Sequence, residues 1–276
     1  MRGDFSVKNY LRDLKLPFCP GCGAFTVINS FLKAVYELGY GNLSKFVFCS
    51  GIGCASWIPS PYFKADSIHT LHGRSIPVAT GIKLMRPELK VVVFGGDGDI
   101  VGIGLSHFIH AARRNLDILV IMVNNMVYGM TGGQVAPTTP FKAKTTTTPY
   151  GSYEEPLDAA MLAATAGANY SARWTTAHQT QLKDAVKKAV EMKGFRFIEV
   201  VSQCPTAYGR RMGFKDAGEM VKWFRENSIT KMEAEKLGEE AVKTKIVVGE
   251  FIQRKRPTLV ENIYNLIREA HKTEEN

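Results

Sequence analysis

Apolar side chains recur at helical spacing over residues 21–39, at Phe25, Val27, Ile28, Phe31, Leu32 and Val35, and the run stops near Gly39. One amphipathic helix is predicted there. The period then changes. Residues 45–50 form a short apolar run that enters a glycine turn, Gly51-Ile52-Gly53, and read as a buried strand. Residues 75–86 read as helix, and the β-branched run 90–94, which ends in Gly95-Gly96, reads as a strand buried on both faces. Further on, helix is predicted over 100–115, 156–166 and 177–193, and strand over 117–123, 168–173 and 195–201. Strand alternating with helix implies an α/β fold built on a doubly wound, mostly parallel sheet. Residues 130–152 are a loop rich in Thr, Gly and Pro, and loops of that length inside a domain usually carry function. The chain divides at a change of composition. Residues 1–212 form the alternating domain, and 213–276 are a more charged, helical C-terminal extension, patterned near 217–241 and 258–271, that packs on the domain or on a partner.

Composition narrows the class. The 276 residues, 45% hydrophobic and 22% charged, suffice for one large sheet covered on both faces. No apolar run reaches eighteen residues, and residues 1–17 lack the apolar core of a signal peptide, so a cytoplasmic protein without a membrane span is expected. The net charge is +9, but the basic residues are scattered and the densest groups, Arg210-Arg211 and Arg254-Lys255-Arg256, carry no nucleic-acid-binding signature. An ordinary solvated surface or an acidic protein partner remains. Five cysteines in a reducing compartment point to metal or redox chemistry rather than to disulfides.

The sharpest motif is Gly96-Asp97-Gly98-Asp99 at one strand end, followed by Asn124-Asn125 at the end of the next. Residues 99–123 hold one helix and one strand, so both motifs emerge on the carboxyl edge of the sheet, where open α/β sheets bind ligands. Asp97 supplies a carboxylate oxygen, Asn125 an amide oxygen and Val127 a backbone carbonyl; with phosphate oxygens and water these complete the octahedral shell of Mg²⁺. The glycines allow close backbone approach to a diphosphate. A plain turn and a helix cap would explain either motif alone.

The cysteines are spread. Cys19-Pro20-Gly21-Cys22 is a close pair, Cys54 follows the glycine turn, and Cys204 lies far downstream. Four such thiolates suit a cubane iron–sulfur cluster or a tetrahedral zinc ion, and redox or inert thiols are the third reading.

FCPGCG, SGIGC, TLHGR, GDGD, HAARRN, VNN, VYGMTGGQ, PTTP and SQCP occur in this order over residues 18–205. Together they resemble the β subunit of 2-oxoacid:ferredoxin oxidoreductases, in particular the 2-oxoglutarate branch. The resemblance implies the diphosphate domain of the thiamine diphosphate-binding fold, with Mg²⁺ on Asp97, Asn125 and the Val127 carbonyl. It implies that Ile52, Gly53, Cys54, Ala55, His72, Gly73, Gly96, Gly98 and Asp99 line the cofactor, as do Tyr128, Gly129, Met130 and Thr131. Cys19, Cys22, Cys54 and Cys204 would hold a 4Fe–4S cluster, and Cys49 would be a buried small residue. His72 and Arg74 would serve catalysis near the diphosphate or the reacting carbonyl; a helix-capping histidine is the bland alternative. His107 and His110, one turn apart, read as packing or surface residues.

The implied reaction converts a 2-oxoacid and coenzyme A to acyl-CoA and carbon dioxide, with electrons passed to ferredoxin. The pyrimidine-binding domain such enzymes need does not fit within 276 residues. A larger α subunit is implied, with small γ and δ subunits in a hetero-oligomer. A non-redox thiamine decarboxylase subunit and a zinc-stapled binding module are the rival functions. One departure concerns substrate: Trp57 stands where many relatives carry a basic residue, which favours an apolar 2-oxoacid over 2-oxoglutarate.

Overall fold

The computed structural model describes residues 4–238 and 242–274. Helix α1 (Ala24–Glu37) leads to strand β1 (Phe46–Ser50), a 3₁₀ turn (Cys54–Trp57), β2 (Asp66–His69), α2 (Ser75–Met85) and β3 (Lys90–Gly96). A π-helical segment (Gly98–Ile103) precedes α3 (Leu105–Arg113) and β4 (Leu119–Asn124), and a small hairpin pairs β5 (Val127–Tyr128) with β6 (Gln134–Val135). The second half runs α4 (Ala159–Ala166), β7 (Tyr170–Thr175), α5 (Gln179–Glu191), β8 (Arg196–Val201) and a π-helical turn (Pro205–Gly209). It closes with α6 (Ala217–Asn227), β9 (Ser228–Thr230), α7 (Lys231–Ala234), β10 (Ile246–Gln253) and α8 (Leu259–Glu274).

The main sheet has eight strands in the order β2-β1-β3-β4-β8-β7-β10-β9. All neighbours are parallel except β10 with β7, so the doubly wound, mostly parallel sheet expected from the alternation is present. Alternation within strands feeds two cores. Val92 and Phe94 of β3 pack with α1 and α5, whereas Val91 and Val93 face α2, α3 and α4. On the first side Phe31 sits fully buried among Phe46, Phe48, Phe63 and Phe94, with ring centroids 5.3–6.3 Å away. Burying each such ring contributes about 1.5–3 kcal/mol. α1 ends where Gly39 takes φ +91°, a left-handed position that lets Tyr40 N–H donate to the Val35 carbonyl at 3.1 Å.

Three segments differ from the pattern-based reading. The helix expected over 100–115 begins only at Leu105, because Gly102 leaves helical backbone (φ −88°, ψ −107°) inside the preceding π-helical segment. The loop over 130–152 is ordered by the β5–β6 hairpin and by hydroxyl bonds such as Thr145 to Thr148 at 2.7 Å. Residues 213–276 supply helices as expected, at α6, α7 and α8, and in addition two strands of the main sheet. β10 escaped detection because its alternation is broken by Gly249 and by a register shift between Glu250 and Ile252. The end of the helical stretch expected near 217–241 falls on 239–241, outside the described residues.

Candidate active site

β1, β3, β4 and β8 are neighbours in the sheet, and their carboxyl ends open into one cavity of about 170 Å³. β1 delivers Ile52, Gly53, Cys54 and Ala55; β3 delivers Gly96, Asp97, Gly98 and Asp99; β4 leads to Asn125, Val127, Tyr128, Gly129, Met130 and Thr131. β8 contributes Ser202 and Gln203, and Cys22 and Ala24 come from the start of α1. His72 lines the same cavity. Nearly every site residue expected from the motifs is therefore brought together. Arg74 is not in the lining: its guanidinium Nη1 donates to the carbonyls of Gly73 (3.2 Å) and Ile103 (3.4 Å). Gly73 sits beside the cavity, with its N–H on Asp99.

Asp97 is 2% exposed, and burial pushes its carboxyl up to about 7. One arm of the Asn125 amide lies 3.2 Å from Asp97 Oδ1 and 2.6 Å from the Val127 carbonyl oxygen. With nitrogen in that arm, the amide donates to both and the site closes on itself. With oxygen there, three oxygens face one another with no proton between them, an arrangement a bound cation would relieve. Oxygens on adjacent corners of an Mg²⁺ octahedron with bonds of about 2.0–2.1 Å lie roughly 3 Å apart, so this donor set fits that ion. A cation here would also offset the cost of an ionised, buried Asp97.

Asp99, also 2% exposed, accepts three donors: Ile52 N–H at 3.1 Å, Gly73 N–H at 2.7 Å, and His72 Nδ1 at 2.7 Å. This leaves Nε2 as the His72 nitrogen available to the cavity. Glycine is required at two approaches. A methyl on Gly98 would overlap the Tyr128 ring, and one on Gly51 would overlap the Asp99 carboxylate.

Cys22 and Cys54 line the cavity, and Cys19 and Cys204 lie close enough to act on them electrostatically. The Cys19–Cys22 turn is closed by Cys22 N–H to the Cys19 carbonyl (3.0 Å) and tied to β8's loop by Gly23 N–H to the Gln203 carbonyl (3.1 Å). Burial pushes the Cys22 thiol up to about 11, and the other three thiols add to the rise. Cys54 is raised by burial, then by Cys204 and Cys19. Among the described residues, no three His, Cys, Asp or Glu side chains are close enough to hold a single metal ion. Cys49 stands apart in the second core, fully buried, its thiol pushed up to about 12.

Sequence reasoning missed Ser202, Gln203 and Thr138. Thr138 Oγ1 lies 2.6 Å from Asp97 Oδ2, and the PTTP segment was the available signal. His107 and His110 line a separate cavity of about 200 Å³ between α2 and α3. No described helix is long and apolar enough to cross a membrane.

Residues 51–200 match the family described as thiamine pyrophosphate enzyme, C-terminal TPP binding domain, which agrees with a parallel sheet opening on an Asp–Asn–carbonyl donor set. The chain is 52% identical over 260 residues to the 2-oxoglutarate synthase subunit KorB of Methanocaldococcus jannaschii, covering 94% of this chain and 96% of that one. It is 42% identical over 198 residues to 2-oxoacid:ferredoxin oxidoreductase 2, subunit beta, of Aeropyrum pernix, covering 72% of this chain and 63% of that one. Among solved structures it resembles the 2-oxoglutarate:ferredoxin oxidoreductase from Magnetococcus marinus with 2-oxoglutarate, coenzyme A and succinyl-CoA bound. The TM-score is 0.84 at 32% identity, over 97% of this chain and 91% of that one. The chain belongs to the β subunits of the 2-oxoacid:ferredoxin oxidoreductases, and so is one subunit of a multi-chain oxidoreductase.

Proposed function

We propose that this chain supplies the diphosphate- and metal-binding half of the active site of a 2-oxoglutarate:ferredoxin oxidoreductase, and that four of its cysteines hold a 4Fe–4S cluster beside it. The observation that carries the reading is a shared cavity. The Asp97–Asn125–Val127 oxygens and the thiols of Cys22 and Cys54 line the same 170 Å³ space. A cofactor seated there lies within short range of the thiols, as electron transfer out of a reacting centre requires.

Bound thiamine diphosphate supplies the carbanion stabilisation that decarboxylation needs. The chain's own residues do the rest. Asp97, Asn125 and the Val127 carbonyl would hold Mg²⁺, which would supply positive charge to bind the diphosphate. Gly98 and Gly51 let backbone and neighbouring side chains approach closely. Asp99 fixes His72 through Nδ1, so that Nε2 exchanges a proton or a hydrogen bond with the reacting carbonyl. Coenzyme A accepts the acyl group. Cys19, Cys22, Cys54 and Cys204 would ligate the cluster, which would supply one-electron redox capacity beside the cofactor; the net charge of +9 suits an acidic electron carrier such as ferredoxin.

The α subunit carries the pyrimidine-binding domain and covers the cavity. Two large apolar side chains of the lining are exposed, Ile52 (41%) and Met130 (49%), and two more flank the His72–Gly73 turn: Leu71 (78%), which precedes it, and Ile103 (53%), which packs on Gly73. Such side chains belong against another chain. Small γ and δ subunits complete the assembly, in the cytoplasm. Residues 1–212 form the cofactor domain and 213–276 the extension. The substrate is taken from the relatives that share about half of this sequence.

Anaerobic purification of the assembled enzyme, followed by assay of iron, acid-labile sulfide, magnesium and thiamine, tests the reading. Brown protein with iron and sulfide in equal amounts is the expected result. Zinc without iron would overturn the cluster, and cofactor retention independent of magnesium would overturn the metal site.

A further inference from the structure

A chain of buried polar side chains starts at Asp97 and leads away from the cavity. Thr138, in the loop after β6, is 5% exposed, and its hydroxyl lies 2.6 Å from Asp97 Oδ2 and 2.9 Å from Asn124 Oδ1. The Asn124 amide is fixed at both ends. Its nitrogen donates to Glu199 Oε1 at 2.7 Å, and its oxygen accepts Met126 N–H at 3.0 Å. Glu199 Oε2 accepts Arg173 Nε at 2.8 Å, and Arg173 also donates to the Val247 carbonyl at 3.2 Å and pairs with Asp158. β4, β8, β7 and β10 thereby anchor the far end of this chain.

The two oxygens of Asp97 have separate partners. Oδ1 faces the Asn125 amide, on the side of the Val127 carbonyl, and Oδ2 faces Thr138. A carboxylate can rotate about two bonds, and a ligand that must find its own plane loses affinity. A hydrogen bond to the oxygen remote from the metal removes that freedom, as outer-shell partners of metal ligands generally do.

We propose that Thr138 is a positioning residue for the divalent cation: its hydroxyl gives its single proton to Asp97 Oδ2, the shorter of its two contacts, and so sets the plane of the Asp97 carboxylate with Oδ1 pointing at the metal. This rests on the assignment of Asp97, Asn125 and Val127 as the cation's ligands. The loop that carries Thr138 is itself pinned here, by Thr139 Oγ1 donating to the Met126 carbonyl at 2.7 Å and Leu157 N–H to the Pro137 carbonyl at 2.8 Å. Loop placement and metal affinity are therefore linked through one hydroxyl.

The test uses the assembled enzyme, stripped of metal, with Mg²⁺ titrated against retention of thiamine diphosphate. Thr138→Val should raise the Mg²⁺ concentration at half-retention by about 10–100-fold, and Thr138→Ser should restore it to within about threefold of the wild type. At saturating Mg²⁺ the valine enzyme should retain the full complement of cofactor, which a general structural defect would not allow. Asp97→Asn serves as the reference for the ligand itself. If Asp97→Asn raises the Mg²⁺ concentration at half-retention but Thr138→Val leaves it at the wild-type value, the positioning role is overturned and the ligand assignment survives. If neither variant alters it, both fall. Thr138→Ala replaces the valine variant should that one not assemble. Failure of both to assemble, beside an intact serine variant, would make Thr138 a folding residue and overturn the proposal.

Discussion

Asp99 Oδ1 lies 2.7 Å from His72 Nδ1, and the same oxygen accepts the backbone N–H groups of Gly73 and Ile52. One carboxylate thus joins three loops that leave different strands: the glycine turn after β1, the turn before α2, and the segment after β3. The side chain is nearly sealed from water, so these three donors are what offsets the loss of its hydration.

Asp99→Ala should therefore act on stability and on the site together. It leaves two backbone N–H groups without their acceptor, and an unsatisfied buried donor costs about 1–3 kcal/mol. A loss of about 2–5 kcal/mol is expected, with a kcat reduced through the released His72. Asp99→Asn keeps an acceptor oxygen and should lose less than half as much. Thermal unfolding of the assembled enzyme measures this, and an alanine variant that melts with the wild type would refute it.

The cysteines separate by environment. Cys19→Ser, Cys22→Ser, Cys54→Ser and Cys204→Ser should each remove the visible absorption of the cluster and abolish 2-oxoacid-dependent dye reduction. Cys49→Ala should keep the full iron content, because Cys49 lies in the second core and away from the other thiols. Iron lost from the Cys49 variant but kept by the Cys54 variant would reverse the ligand assignment.

Asp117 is held between two buried cations, with Lys83 Nζ at 2.8 Å and Arg196 Nη1 at 2.5 Å, and it also accepts Gly194 N–H at 3.0 Å. Burial raises its pKa, but Arg196 and Lys83 outweigh burial and hold the carboxyl below the usual value of 3.8. The depressed pKa fixes the sign: the stabilisation is complete above about pH 4 and is lost as pH falls through the folded-state value. Asp117→Asn strands two cations and should cost about 3–5 kcal/mol at neutral pH. The gap between variant and wild type should narrow below pH 4. A gap that widened on acidification would contradict this.

Legibility in the sequence followed the range of the interactions involved. β3 and β4 could be read because both faces are buried, which leaves an unbroken apolar run. β2 could not: Asp66-Ser67-Ile68-His69 is a polar edge strand, half in solvent, with no pattern to find. The Asp97–Asn125 pair was visible because one helix and one strand of ordinary length set its spacing. The roles of Asp99 and Thr138 were hidden, since their partners lie 26 to 47 and 41 positions away and nothing local records the pairing. Gly51 and Gly98 belong to legible motifs, but what each avoids is evident only from the side chain opposite.

The substrate depends on where a carboxylate-binding charge comes from. Trp57, which the sequence suggested would face the substrate and favour apolar 2-oxoacids, packs on His69 with ring centroids 5.6 Å apart and is absent from the cavity's lining. His69 in turn sits at the end of β2, 3.2 Å from Ser50 Oγ. Lys64 and Arg74 are also engaged elsewhere: Lys64 Nζ donates to the Lys8 carbonyl at 3.0 Å, and Arg74 holds the Gly73 and Ile103 carbonyls. In the proposed assembly, a charge-assisted bond to the distal carboxylate, worth about 1.5–3 kcal/mol, is then expected from the α subunit. Wild-type enzyme should prefer 2-oxoglutarate over pyruvate, 2-oxoisovalerate and indolepyruvate by at least about tenfold in kcat/KM. Trp57→Lys and Lys64→Met should each change that ratio by less than about threefold, since neither side chain reaches the cavity. Steady-state assays with the four substrates decide the matter. A wild type that prefers the apolar acids, and turns towards 2-oxoglutarate when Trp57 becomes lysine, would place Trp57 at the substrate after all.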